Sequence, residues 1–183
     1  MYTFATYLAQ NGITFETREE FDMRMTLFAA AEARIQEHNS ANDESSFTIG
    51  HNKFSIMSAE EKSSMLNLNV NAMQLGASDG SYVTLDVSNL STSVNWVEEG
   101  AVTTPKNQEN CGSCWTFAST GMLEGAYKIA GNDLESFSEQ QLLDCAGEDV
   151  YADGCDGGSI ASGLMFWETN KALKDSTLPY NGV

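Results

Sequence analysis

A cysteine just ahead of an apolar helical pattern can be made into a nucleophile, and Cys114 stands in such a place. It belongs to the run Gln108-Glu109-Asn110-Cys111-Gly112-Ser113-Cys114-Trp115. The thiolate, not the thiol, attacks, so a reactive cysteine needs something that favours its negative charge. The unpaired N–H groups and dipole of a helix N-terminus do this. Gly112-Ser113 permit a tight turn and close approach of a substrate backbone. Gln108, six residues earlier, offers a side-chain N–H to a developing oxyanion, alongside the backbone N–H of Cys114. These pieces suit acyl transfer. The Cys111-x-x-Cys114 pair by itself fits a redox dithiol or half of a zinc site equally well. A zinc site wants a second ligand pair, yet Cys145 and Cys155 lie ten apart and the two histidines, His38 and His51, lie far upstream. A redox dithiol wants a βαβ setting, which the sequence does not offer. No metal and no cofactor is expected.

Around this run, the chain has 183 residues, enough for one ordinary domain or two small ones. With 42% hydrophobic residues it can form a core. Its 26 acidic and 9 basic residues give a formal net charge of -17. Such a surface repels phosphate backbones and anionic membranes, which argues against nucleic-acid and membrane partners. No apolar run approaches the roughly 18 residues of a membrane span. The N-terminal stretch lacks the basic start and long apolar run of a signal peptide. All four cysteines fall between Cys111 and Cys155.

The elements that must position Cys114 can be read from periodicity. Residues 17–39 carry Phe21, Met25, Phe28 and Ile35 on one stripe, which predicts a helix. A second is expected over 58–68, announced by the capping box of Ser58 and Glu61. Between them, Phe47-Thr48-Ile49 and Lys53-Phe54-Ser55-Ile56 read as short extended pieces. Residues 76–93, rich in Gly, Ser, Asp and Thr, read as a linker. The helix of Cys114 is expected to run to about Ala130, stopped by Gly131. Ser138-Glu139-Gln140-Gln141 announces another helix, and a last one is expected over 159–172.

Cys111-Gly112-Ser113-Cys114-Trp115 resembles the signature of the papain and cathepsin cysteine proteases. Further blocks agree with that family. Trp96, Gly100 to Thr103 and Lys106-Asn107-Gln108 resemble the start of the mature enzymes. Ser138 to Cys145, Gly154 to Gly158 and Leu178-Pro179-Tyr180 resemble later blocks in the family's order. Upstream, Glu20, Arg24, Phe28, Ile35 and Asn39 resemble the helical signature of the family's inhibitory propeptide, and Gly50, Asn52 and Phe54 its next block. The resemblance implies an α+β papain-like fold with a mostly helical part covered here: a propeptide over 1–75, a processing linker over 76–93, and the helical half of the peptidase over 94–183, the β-barrel half missing. It implies a cysteine endopeptidase proenzyme acting on peptide and protein substrates, with its own propeptide in the cleft. Cys114 would be the nucleophile and Gln108 the oxyanion donor. Gly157 and Gly158 would pair with an extended substrate, and Ile160 and Ala161 would line the pocket for the residue two before the cleaved bond. Cys111 would pair with Cys155, Cys145 with a cysteine beyond residue 183, and Trp115 would pack beside the thiol. Family members are usually lysosomal, vacuolar or secreted.

The sequence departs from the family pattern at Ala31, where the propeptide signature has asparagine, and at Ile56, where the next block has an aspartate tied to acid-sensitive processing. The family's catalytic histidine and its asparagine lie roughly 130–150 residues after the nucleophile, and only 69 residues follow Cys114. His38 and His51 match no catalytic position and read as surface or helix-end residues. The competing reading is a propeptide-like inhibitor of related proteases; a third is a split enzyme whose barrel half is another chain. The helix face that would meet the barrel is expected to be bare and apolar. Purified 1–183 is expected to show no peptidase turnover, because no base serves Cys114. Cleavage of a dipeptidyl reporter that disappears in Cys114→Ala would contradict this.

Overall fold

The computed structural model describes residues 3–41, 47–66, 84, 86, 88–147 and 152–183. The chain divides into two compact units, Met1–Lys62 and Ser63–Val183. Each is helical, and no strand occurs among the described residues. The linker expected over 76–93 lies largely outside them.

The first unit holds α1 (Phe4–Asn11), α2 (Arg18–Ala41), a 3-10 turn (Lys53–Ile56) and α3 (Ala59–Ser63). Helix α1 was not anticipated, although its stop signals are present. Thr3 caps it through Thr6 N, and Gly12 ends it in the left-handed region at φ 63°. It adds Phe4 and Tyr7 to a core completed by Phe28 and Ile56, with Leu8, Ile13, Phe15 and Phe21 against it. The Phe4 ring meets those of Phe21 and Phe28 at 5.3 and 5.4 Å, a separation at which aromatic pairs attract beyond their area burial.

Three expectations fail here. Lys53–Ile56 is a 3-10 turn rather than an extended piece, because Asn52 and Ser55 form a reciprocal capping box around it. His51 is no surface residue: its ring stacks on Phe28 at 4.1 Å, and it bonds Glu32 Oε2 at 2.7 Å and Ser55 Oγ at 3.0 Å. The helix expected over 58–68 is shorter, ending at Ser63. Its capping box is present, with Glu61 N donating to Ser58 Oγ and Ser58 N to Glu61 Oε2.

Side chains of α1 and α2 hold the irregular stretch 49–56 by its backbone. Asn39 pairs with both groups of Ile49, donating to its carbonyl at 2.8 Å and accepting from its N–H at 2.9 Å. Tyr7 donates to Asn52 O at 3.1 Å, and Arg24 to Ile56 O at 2.8 Å. The fork of Arg24 also grips both oxygens of Glu61, at 2.5 and 2.6 Å. Such a bidentate pair is the strong form of a carboxylate bond.

In the second unit, α4 (Cys114–Ile129) packs on α5 (Glu139–Cys145) and α6 (Ile160–Thr169). Trp115, Leu142, Ala146, Ala152 and Phe166 form the core, with Trp167 against it. Helices α4 and α6 approach closely because Gly163 has no side chain where Ser119 stands. Ser138 caps α5 through Gln141 N at 3.0 Å. An isolated antiparallel bridge joins Phe137 to Lys174. The buried amides of α5 then secure the last residues: Gln141 bonds Lys171 O and Leu173 N, and Gln140 bonds Val183 O and Asn181 N.

Arg24 holds the carboxyl of Glu61 down at about 2, below its ordinary 4.5. A depressed carboxylate stabilises the folded unit above its unfolded pKa, and the contribution disappears as pH falls through the folded value. The Arg24–Glu61 contribution is therefore expected to persist in mild acid and vanish between pH 4.5 and about 2. Amide hydrogen exchange of α2 measures this. Glu61→Gln should lower its protection at neutral pH and flatten the acid dependence across that window.

Candidate active site

Cys114 is the first residue of α4, with a free thiol that is half-buried. As the first helical residue its N–H has no partner within the helix. Ser113, the N-cap residue, leaves that end open as well, because its hydroxyl makes no capping bond. Helix α4 begins here because Gly112 and Ser113 turn the chain and the apolar pattern starts at Trp115.

Gln108 lies in the loop before this turn. Its amide nitrogen donates to Cys111 O at 2.8 Å and to Met65 O at 3.1 Å. The amide is therefore aimed at the loop that leads into Cys114, and it already carries a backbone carbonyl from the stretch after α3. Glu109, directly after it, adopts the left-handed region at φ 56°, an uncommon conformation for a residue with a side chain.

Cys111 and Cys155 form a disulfide spanning 44 residues. Beside it Gly112 N donates to Cys155 O at 3.0 Å, so the Cys114 loop and the glycine loop are joined twice. Trp115 adds a third tie, its indole N–H donating to Gly154 O at 3.2 Å. The two glycines have steric reasons. Gly157 has φ 122°, a conformation open to glycine alone without strain. At Gly158 a Cβ would stand 2.6 Å from the Trp115 ring. Both are buried, the Ile160 side chain is exposed and Ala161 half-buried. Ser159 caps α6 through Ser162 N at 3.1 Å, which fixes where Ile160 and Ala161 begin.

A charged cluster that periodicity did not reveal lies on the other side of Gln108. Lys106 Nζ meets Glu124 at 2.8 Å and Glu139 at 2.6 Å, and both carboxylates are buried. Burial lowers the Lys106 pKa, but the two carboxylates outweigh it and leave it raised. Burial raises that of Glu139 against the pull of Lys106. Glu124 also accepts from Thr103 Oγ1 at 2.7 Å and Phe137 N at 2.9 Å. A cavity of about 280 Å³ opens beside the cluster, lined also by Gln108, Phe117 and Gly121. On α4, Met122, Tyr127 and Ile129 are exposed. His38, bonded to Phe47 O, and His51 both belong to the first unit. Cys145 is free and exposed.

A nucleophile candidate at a helix start, an amide at its loop and a disulfide to a glycine loop form one connected arrangement. Residues 90–183 match the papain family cysteine protease model, and residues 4–61 match the cathepsin propeptide inhibitor domain. The chain belongs to the papain family of cysteine proteases. Ananain of Ananas comosus is 34% identical over 189 aligned positions, covering 100% of this chain and 52% of that protein. Digestive cysteine proteinase 1 of Homarus americanus is 35% identical, covering 92% and 52%. Cathepsin L of Sarcophaga peregrina is 34% identical, covering 97% and 55%. Among solved structures, a recombinant stem bromelain precursor superposes with TM-score 0.81 at 30% identity over 98% of this chain and 57% of that one. Procathepsin L 3 of the Tenebrio molitor larval midgut gives 0.80 at 29%, over 98% and 57%. This papain-family chain spans about half the length of the curated relatives it matches. Its helical character agrees with the helical half of the family fold.

The disulfide closes a loop long enough to matter. Removing a cross-link of this span frees the unfolded chain by an entropy worth about 4 kcal/mol. All three tryptophans, Trp96, Trp115 and Trp167, lie in the second unit, so their fluorescence follows that unit alone. The double variant Cys111→Ser/Cys155→Ser is expected to unfold at lower urea, with a stability loss of about 2–4 kcal/mol read from the tryptophans.

Proposed function

We propose that the whole protein is a cysteine endopeptidase made as an inhibited proenzyme. Cys114 is its nucleophile, and the Gln108 amide with the Cys114 N–H receives the oxyanion. The observation that carries this reading is the bond from Gln108 to Met65 O at 3.1 Å. The donor that would receive a substrate's carbonyl oxygen already receives a carbonyl of this chain, so the stretch after α3 stands in for an acyl group. It also supports the chain's own propeptide as the occupant of the cleft.

In the reaction, the Cys114 thiolate adds to the carbonyl carbon of a peptide, forming the C–S bond while the π pair moves to oxygen. Collapse of that oxyanion breaks the C–N bond, and the departing amine takes a proton. Water then cleaves the thioester. Residues 94–183 contain no histidine, so the proton carrier is proposed to be a histidine outside them, in a β-barrel half. Gly157 and Gly158 would pair with an extended substrate as an added strand does, and Ile160 and Ala161 would shape the apolar pocket beside them. The exposure of Ile160 and the glycine-only backbone at 157 support this. The protein is proposed to mature in a lysosomal, vacuolar or secreted setting, where a disulfide such as Cys111–Cys155 persists.

The test uses the protein as its natural source makes it. Limited proteolysis that removes the chain ahead of residue 90 should speed labelling of Cys114 by a peptidyl epoxide roughly tenfold or more, since one hydrogen bond and a covering segment are lost. Cys114→Ala should abolish labelling. Equal labelling before and after removal would overturn the inhibited state, and labelling that survives Cys114→Ala would overturn the nucleophile.

A further inference from the structure

Oxyanion stabilisation depends on two donors standing about 3 Å from one oxygen, and in the site proposed above they come from different pieces of chain. The Gln108 amide belongs to the loop, and the Cys114 N–H belongs to the start of α4. The far end of the Gln108 side chain is fixed by Cys111 O. Its backbone carbonyl accepts twice: from the Cys111 N–H within the loop at 3.4 Å, and from a residue 72 positions away, the Tyr180 hydroxyl, at 2.9 Å.

The same phenol oxygen lies 2.6 Å from Ser113 Oγ. A phenol has one proton to give, and Gln108 O takes it, so the Ser113 hydroxyl must donate to Tyr180. The relay runs in one direction, from Ser113 through Tyr180 to the Gln108 carbonyl. Ser113 is fully buried. A serine before a helix ordinarily accepts from the N–H groups of the first turn; this one does not. Its hydroxyl is engaged by Tyr180 instead, and its own peptide carries the Cys114 N–H.

Tyr180 is itself held firmly. Its ring meets Phe117 edge-on at 4.8 Å, one turn along α4 from Cys114. The next two backbone N–H groups, of Asn181 and Gly182, donate to the buried Gln140 at 3.0 and 3.3 Å. Burial raises its pKa, which keeps the phenol proton in place through the neutral range.

We infer that Tyr180 is a positioning residue for the oxyanion pair: its hydroxyl clamps the Gln108 backbone to the Ser113–Cys114 peptide and so sets the separation of the two donors. This rests on the reading of Cys114 and Gln108 given above. A packing role would need the ring alone, so the hydroxyl is the group to remove, and Tyr180→Phe keeps the contact with Phe117.

Two reagents on the full 1–183 chain separate the roles. A peptidyl aldehyde, acetyl-phenylalanyl-glycinal, adds reversibly to Cys114; the C–S bond forms, the thiol proton moves to the carbonyl oxygen, and that oxygen sits with the two donors. Iodoacetamide alkylates the same thiol, displacing iodide, with no oxyanion. Met65 O remains a competitor for the Gln108 amide in Tyr180→Phe and Ser113→Ala as in the unaltered chain. Tyr180→Phe is expected to weaken aldehyde binding roughly tenfold, the loss of one to two neutral hydrogen bonds, and to leave the alkylation rate within about twofold. Gln108→Ala should weaken the aldehyde too, and adding Tyr180→Phe to it should cost nothing more, because both act through one donor. Ser113→Ala cuts the relay from its other end and should reproduce the Tyr180→Phe result; it serves as the variant if Tyr180→Phe does not fold by tryptophan fluorescence. Aldehyde binding unchanged in both variants overturns the clamp. Equal losses with both reagents overturn it as well, since they would make Tyr180 a support of the thiol. If the unaltered chain binds the aldehyde no better than Gln108→Ala does, the oxyanion reading itself fails and the clamp falls with it.

Discussion

The second unit depends on the double tie between the Cys114 loop and the glycine loop. The Cys111–Cys155 disulfide and the Gly112 N–H to Cys155 O bond hold two stretches 44 residues apart. With that closure in place, Trp115 lies against Gly158, its indole bonded to Gly154 O, and covers the core around Leu142 and Phe166. The start of α4 follows from the same closure. Helix α4 starts at a half-buried residue and has no capping side chain at that end. It is held by its neighbours: the disulfide before it, the indole of Trp115 on Gly154 O, and the phenol that takes the Ser113 hydroxyl.

Charge contributes differently in the two units. Around Lys106 the carboxylates are buried, and raised values for both Lys106 and Glu139 show burial and pairing in opposition. Removing one member would leave the others uncompensated, which is where such clusters destabilise most. In the first unit, Arg24 and Glu61 sit nearer the surface but in bidentate geometry. Arg24 takes the carbonyl of Ile56 as well. Its carboxylate partner is Glu61, whose low pKa makes the pair insensitive to mild acid.

Much of this was legible in the sequence. Helices α2, α4 and α6 lie within a few residues of their expected bounds, and α5 starts where Ser138 announces it, because each has a strong apolar stripe or a capping serine. The thiol, the amide and the disulfide partners all fall in motifs of short local range. What escaped was tertiary in origin. Helix α1 has its caps at Thr3 and Gly12, but its apolar residues acquire meaning only against Phe28. His51 reads as a surface residue until Phe28 and Glu32 of α2 close on it. The Lys106 cluster draws its members from three separate stretches, with no periodicity to announce it. Tyr180 was legible as part of a block, not as a hydrogen-bond donor to Gln108.

The grip on residues 49–56 has a consequence for how that stretch can change. Asn39, Tyr7 and Arg24 reach Ile49, Asn52 and Ile56 through backbone groups alone. Main-chain atoms are the same whatever residue carries them, so side-chain identity at Ile49 is little constrained by the hold. Length is constrained absolutely. One residue inserted or deleted between two anchors moves the next carbonyl out of reach of its donor. Across related chains, the spacing of the three anchors should vary less than the side chain at Ile49, while His51, Asn52, Ser55 and Ile56 stay tied to the contacts their side chains make.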